Sequence, residues 1–332
     1  MTLAALAALR ALQDIPISGL DFALLPDLDA EATYRLSIAA VAPTAWLSAV
    51  ALGELAKLIF PLPMLRTEAR RCHADPFAVP LVALALVLSG IQAAGIASAL
   101  ENIPELVPEP GTTFRFATVA TLVGGTALTI AIAGIISTAG IASGFWVFLA
   151  ASAAYDFIPA LLPVYLRTEI GLTPVRLALL QVFVLLVCIA AVVALILARN
   201  RMGHRRGEPV VWPLLLAGLL KQNIGALFAF LAEAVYGDIL PVVMFAPDRP
   251  LGLGITVLLI AAITWRYAKR EQSLLLAVPT GVLLAAIATL DAWARNDAHA
   301  MDLAASEPVL VATVAAVIAI GLNNGRSQSD PS

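Results

Sequence analysis

Long apolar runs dominate this chain, and they leave it very few ways to fold. The runs are roughly 16–25 residues long, enough for a helix to cross a hydrocarbon layer of about 30 Å. Short islands between them hold nearly all of the charge. Lipid offers no partner to a backbone amide, so a spanning segment must be a helix or part of a closed barrel. The runs do not alternate polar and apolar residues, and they exceed the roughly 9–11 residues of a barrel strand. The pattern therefore predicts an all-α integral membrane protein. Composition agrees: of 332 residues 61% are hydrophobic and 13% charged, where a soluble domain carries about 25% charge.

About ten spans are expected, at residues 2–15, 36–60, 77–100, 114–138, 143–166, 175–198, 213–236, 250–267, 273–293 and 307–322, in keeping with the length that a bilayer demands. Most prolines fall at run edges. Pro43, Pro159 and Pro279 lie inside runs and predict kinks. Counting loops alternately, one side collects Lys57, Arg66, Arg70, Arg71, the cluster Arg199 to Arg206, Arg266, Lys269, Arg270 and Arg326. The other side carries single arginines and is acidic, with Asp14, Asp21 and Asp27, then Glu101, Glu105 and Glu109. Positive charge marks the cytoplasmic side, so both termini are expected there. The N-terminal stretch lacks a basic start and a small-residue cleavage site, and is expected to be retained.

Chemistry-bearing motifs are sparse. Cys72 falls in a loop and Cys188 in mid-span, which predicts two reduced thiols. His73, His204 and His299 are scattered over loops. No nucleotide loop, nucleophile–base pair or metal spacing is present, so neither an enzyme nor a cofactor is expected. Charges inside runs need an explanation. Glu54 and Lys57 stand three apart and can pair on one helix face. Lys221 lies deeper and should face a pore or funnel, and Glu233 lies near an outer end. Those charges leave open a small-solute transporter.

Three stretches carry a resemblance to the SecY protein translocase family. Residues 35–61, R-L-S-I-A-A-V-A-P-T-A-W-L-S-A-V-A-L-G-E-L-A-K-L-I-F-P, resemble the family's second helix without a gap, with the inner proline displaced by two. Just upstream, D-I-P-I-S-G-L-D at 14–21 is similar to the family's I-P-I-P-G-I-D. Residues 91–97, I-Q-A-A-G-I-A, look like the Q-x-x-G-I-A of helix three. Residues 114–129, F-R-F-A-T-V-A-T-L-V-G-G-T-A-L-T, with G-I-A-S-G at 140–144, look like helix four and the turn before helix five. The loop N-I-P-E-L-V-P-E-P-G at 102–111 is also similar. Beyond the first half, the likeness lies in span count and order, with weak local similarity at K-Q-N-I-G-A-L, 221–227.

This resemblance implies a clamshell of two inverted five-helix halves, residues 1–166 and 167–332, in a bacterial inner (plasma) membrane. The expected function is a channel or insertase for unfolded polypeptide, opening across the membrane and sideways to lipid. It also implies sites. The aliphatic pore ring maps to Pro43 and Leu47 on helix two, Leu149 on helix five, and Leu227 and Leu231 on helix seven. A polar cluster at the lateral gate maps to Ser48, Gln92 and Asn223, and the junction between plug and helix two to Arg35. SecE- and SecG-like small subunits are the implied partners. The loops that dock the ribosome or SecA in the family shrink here to 199–212 and 266–272, and helix four ends G-I-I-S-T-A without the family's charges. Docking surfaces are thus expected to be reduced, as in a divergent paralogue, and a non-conducting scaffold of the same fold stays open.

Overall fold

A computed structural model describes residues 2–20, 36–59, 75–103, 106–139, 143–154, 169, 175–201, 211–220, 250–271, 274–296, 311 and 314–318. The described helices are α1 (Thr2–Gln13), α2 (Ala42–Ile59), α3 (Val79–Glu101), α4 (Thr112–Ala139), α5 (Gly144–Ala154), α6 (Val175–Arg201), α7 (212–220), α8 (Pro250–Glu271) and α9 (Leu274–Asn296). Each overlaps a run predicted above. The chain divides into two compact units. One holds Met1–Lys57 and Met64–Ser152, the other Leu58–Pro63 and Ala153–Ser332.

Helices α3 and α4 form the backbone of the first unit and are long and apolar enough to cross a membrane. Their polarity is inverted relative to a soluble helix pair. The inward face of α3 is Ala85, Ser89, Ala93 and Ala97, all buried at a spacing of four. Its bulky aliphatics point outward, with Val79 81%, Val87 60% and Ile91 65% exposed. On α4, Phe116 is 77% exposed while Thr118, Thr126 and Thr129 are buried. Water would favour the opposite arrangement, whereas lipid has no quarrel with exposed Val and Ile. Small and hydroxyl residues inside let the helix backbones approach closely. The buried Ser89 and Thr126 hydroxyls join the two helices at 2.8 Å. Ser89→Ala or Thr126→Ala should each cost about 0.6–2 kcal/mol, the range for such interhelical bonds. The double variant should cost little more than either single one. Denaturation in micelles checks this.

At one end of the hairpin, Glu101 ties the turn together. One of its carboxylate oxygens accepts the Gly111 N–H at 2.8 Å, and the other accepts Arg115 Nε at 2.7 Å. Gly111 sits at φ 142°, in the left-handed range that glycine tolerates. Helix α1 packs against α4. Between them and α3 lies a core of Ile17, Leu20, Val41, Ala45, Ala93, Ala97, Leu100, Phe114 and Leu122.

In the second unit α8 packs on α9, and α9 on α6. Pro279 lies inside α9. Residues 211–217, leading into and through most of α7, are all buried. Arg266 Nε donates to the Leu58 carbonyl at 3.1 Å.

One expectation changes. The second span was predicted to be helical from residue 36 with a kink at Pro43, yet α2 starts at Ala42. Pro43 is its second residue, where the missing N–H would have had no partner in the helix anyway. The proline begins this helix instead of bending it.

Candidate functional site

The site grows out of how α2 begins. Residues 36–41 are not helical, yet they are buried: Ser37, Ala39 and Val41 are almost fully covered. Their depth can be read from α4. That helix is 28 residues long, roughly 42 Å at about 1.5 Å per residue, and Gly125 lies near its middle. The Ile38 carbonyl packs directly on Gly125. The open backbone therefore reaches mid-span. Gln92, well inside α3, gives the same depth, since its Oε1 lies 3.1 Å from the Thr44 hydroxyl.

Irregular backbone at that depth is tolerated where protein encloses it or it lines a watery cavity. Here the chain after α1 encloses it. An isolated antiparallel bridge pairs Pro16 with Ser37. Ile17 N–H donates to the Leu36 carbonyl at 2.8 Å, and Ile38 N–H to the Ile15 carbonyl at 2.9 Å. Within the segment, Ala40 N–H donates to the Ser37 carbonyl and Ala42 N–H to the Ala39 carbonyl, both at 3.2 Å.

Pro43 and Leu47 thus stand one turn apart at the mid-span start of α2, Pro43 half-buried and Leu47 buried. Between them and α5 sits Trp46, fully buried. Its Nε1–H donates to the Pro76 carbonyl at 3.0 Å. Its ring meets Phe77 edge-on at 5.3 Å and Phe145 at 5.0 Å, and lies 5.9 Å from Phe148. Leu149 follows Phe148 and is buried. Leu47 and Leu149 are each buried and next in sequence to a member of this aromatic junction. Ser48 is half-buried one helical turn beyond Thr44 on the same face, and Gln92 is half-buried opposite. Arg35, Asn223, Leu227 and Leu231, like Lys221 and Glu233, lie outside the described residues. Glu54 is buried and Lys57 half-buried.

Sequence reasoning missed Thr44, Trp46 and Gly125. Thr44 had a signal, since it stands four residues before Ser48 and so shares its face. Gly125 had none, because what occupies its missing side chain's place comes from 87 positions upstream in the chain, at Ile38.

A helical fold with apolar side chains turned outward, and buried open backbone feeding a helix at mid-depth, fits a multi-pass membrane protein. No family model matches the chain, and no curated protein matches it in sequence. Solved structures match over nearly all of it. One is the structure of a protein-conducting channel, with TM-score 0.63 and 13% identity, covering 98% of this chain and 91% of that one. Another is a SecY whose plug domain stabilises the closed state and maintains a membrane seal, with TM-score 0.60 and 13% identity, covering 99% and 91%. A third is Sec61 in the canine ribosome–channel complex of the endoplasmic reticulum, with TM-score 0.61 and 14% identity, covering 99% and 91%. The fold is that of the SecY and Sec61 protein-conducting channels, which are not enzymes.

Proposed function

We propose that this chain is a protein-conducting channel or insertase for unfolded polypeptide in a bacterial plasma membrane. Ten helices in two inverted halves, residues 1–166 and 167–332, enclose the path, with both termini cytoplasmic. The observation that carries this reading is the fold match over 98% of the chain, joined to the start of α2 at mid-span against Gly125. Pro43, Leu47 and Leu149, with Leu227 and Leu231, form the constriction. An apolar ring excludes water when narrow and yields around a passing chain. Thr44 joins Ser48, Gln92 and Asn223 in the polar cluster that sets how readily the helices part, and Arg35 marks the plug junction. SecE- and SecG-like subunits brace the halves. Residues 202–211 between α6 and α7, and 272–273 between α8 and α9, are too few for a projecting docking hairpin, so the clients are small and independent of SecA.

Photo-crosslinking tests this. A benzophenone side chain at Leu47 or Leu149 should form adducts with a stalled secretory chain. The same probe at Val87 or Phe116, which face outward, should label lipid alone. Equal labelling at all four positions would reject the conduit.

A further inference from the structure

We propose that Gly125 is the seat that holds the non-helical segment 36–41 in place, and so positions Pro43 and Leu47 in the closed constriction. This rests on the channel reading and names what keeps that site shut. A methyl group at Gly125 would overlap the Ile38 carbonyl oxygen and stand 2.8 Å from its carbon and 3.3 Å from its Cβ. The obstacle is backbone, which cannot rotate aside as a side-chain tip does. Nor is the segment free to shift as it stands, because Ile17 N–H and Ile38 N–H staple it to the chain after α1 at 2.8 and 2.9 Å.

Around the seat, Thr44 Oγ1 donates to the Val41 carbonyl at 3.0 Å, and Val41 packs in the core with Ile17 and Leu122. Thr118, Leu122, Gly125 and Thr129 recur at helical spacing on one buried face of α4. The hydroxyls of Thr118, Thr129 and Ser37 are buried and find no hydrogen-bond partner among the described residues. Buried polar groups left unpaired destabilise the state that buries them. The seated state thus sets apolar packing, hydrogen bonds and a close fit at one glycine against buried hydroxyls that find no partner among the described residues. A gating element that must both seal and release needs this balance, and filling the seat should tip it.

Gly124 supplies an internal control. It is exposed, and a methyl there meets no atom within 4 Å. Gly124→Ala and Gly125→Ala thus make the same chemical change in the same helix turn, and only one collides with segment 36–41. Two readouts are taken on the full-length protein in lipid vesicles: resting anion leak, and hydrogen exchange of the Ile17 and Ile38 amides. Gly125→Ala should raise both about tenfold over wild type, which corresponds to about 1.4 kcal/mol lost from the seated state. Gly124→Ala should match wild type. If Gly125→Ala is poorly folded, Ile38→Pro takes its place. It deletes the N–H that donates to Ile15 without entering a helix, and the tenfold rise is then read in leak and at the Ile17 amide alone. Exchange and leak unchanged in the variant measured would overturn the seat. If no vesicle conducts at all while exchange still rises, the seat stands and the conduit reading falls.

Discussion

Trp46→Ala is expected to destabilise the protein by about 3 kcal/mol, near the low end of the range for truncating a buried aromatic to alanine. The ring is fully enclosed, and its removal leaves a cavity bordered by residues of three different origins. Phe77 stands before α3 and packs its own ring on Gly134 of α4 at 3.8 Å from where a methyl would be. Phe145 and Phe148 lie on α5. Two edge-to-face contacts vanish, each worth about 0.5–1.5 kcal/mol beyond area, and the Pro76 carbonyl loses its donor. The low end applies because both states stay within hydrocarbon. The transfer from water that enlarges such losses in soluble cores is missing, which leaves dispersion and the cavity. Trp46→Phe should restore the ring contacts in part but not the donor, at a cost of about 1–3 kcal/mol for the orphaned carbonyl. Denaturation in micelles, following the loss of near-ultraviolet dichroism, orders the two. A Trp46→Ala protein within about 0.5 kcal/mol of wild type, the scale of an ordinary surface change, would mean that the junction does not bind these elements together.

The sequence made the helices legible because lipid enforces them. A run of suitable length must be helical wherever it lies, so α3, α4, α6, α8 and α9 begin and end within a few residues of the predicted spans. For the site less is legible. Gln92 is expected in a lateral-gate cluster with Ser48 and Asn223; its Oε1 accepts from Thr44 of α2, a residue outside that expected set. What local pattern could not reveal was where an apolar stretch stops being helical. Residues 36–41 read as a continuation of the second span, and all but Ser37 are apolar. Their backbone leaves the helix because its N–H and C=O groups find partners at Ile15 and Ile17, about twenty residues away. Gly125 and Trp46 were hidden for the same reason. A glycine in a helix has a meaning only once its neighbour is known, and a tryptophan in an apolar run looks like any other large residue until its N–H acceptor is found.

Gly144→Ala should be as damaging as the loss of Trp46, by a different route. Helix α5 starts at Gly144, and the first N–H groups of a helix have no partner within it. In hydrocarbon that need is acute. It is met by a relay: Gly144 N–H donates to Ser137 Oγ at 2.7 Å, and Ser137 Oγ donates to the Ala133 carbonyl at 3.2 Å. The relay works because α5 lies directly on α4. A methyl at Gly144 would overlap the Ala133 carbonyl oxygen and stand 2.6 Å from its carbon and 2.9 Å from Ser137 Oγ. The overlap must push α5 away, at about 1–3 kcal/mol for overpacking. Separation then strands the Gly144 N–H, at about 1–3 kcal/mol more for an unmet buried donor. Ser137→Ala removes the relay without adding bulk, and should cost only that second part. Gly95→Ala on α3, where a methyl meets nothing, should be neutral or slightly stabilising, since alanine favours a helix over glycine by up to about 1 kcal/mol. The three variants are therefore ordered in micelle denaturation: Gly144→Ala least stable, then Ser137→Ala, then Gly95→Ala. Function should follow geometry and not stability alone. Leu149 lies about 7.5 Å along α5 from Gly144, at about 1.5 Å per residue. Displacing the start of α5 should lower polypeptide adducts from a Leu149 probe, while Ser137→Ala should largely preserve them. Gly144→Ala as stable as Gly95→Ala, with Leu149 adducts intact, would show that α5 is not held in place by this contact.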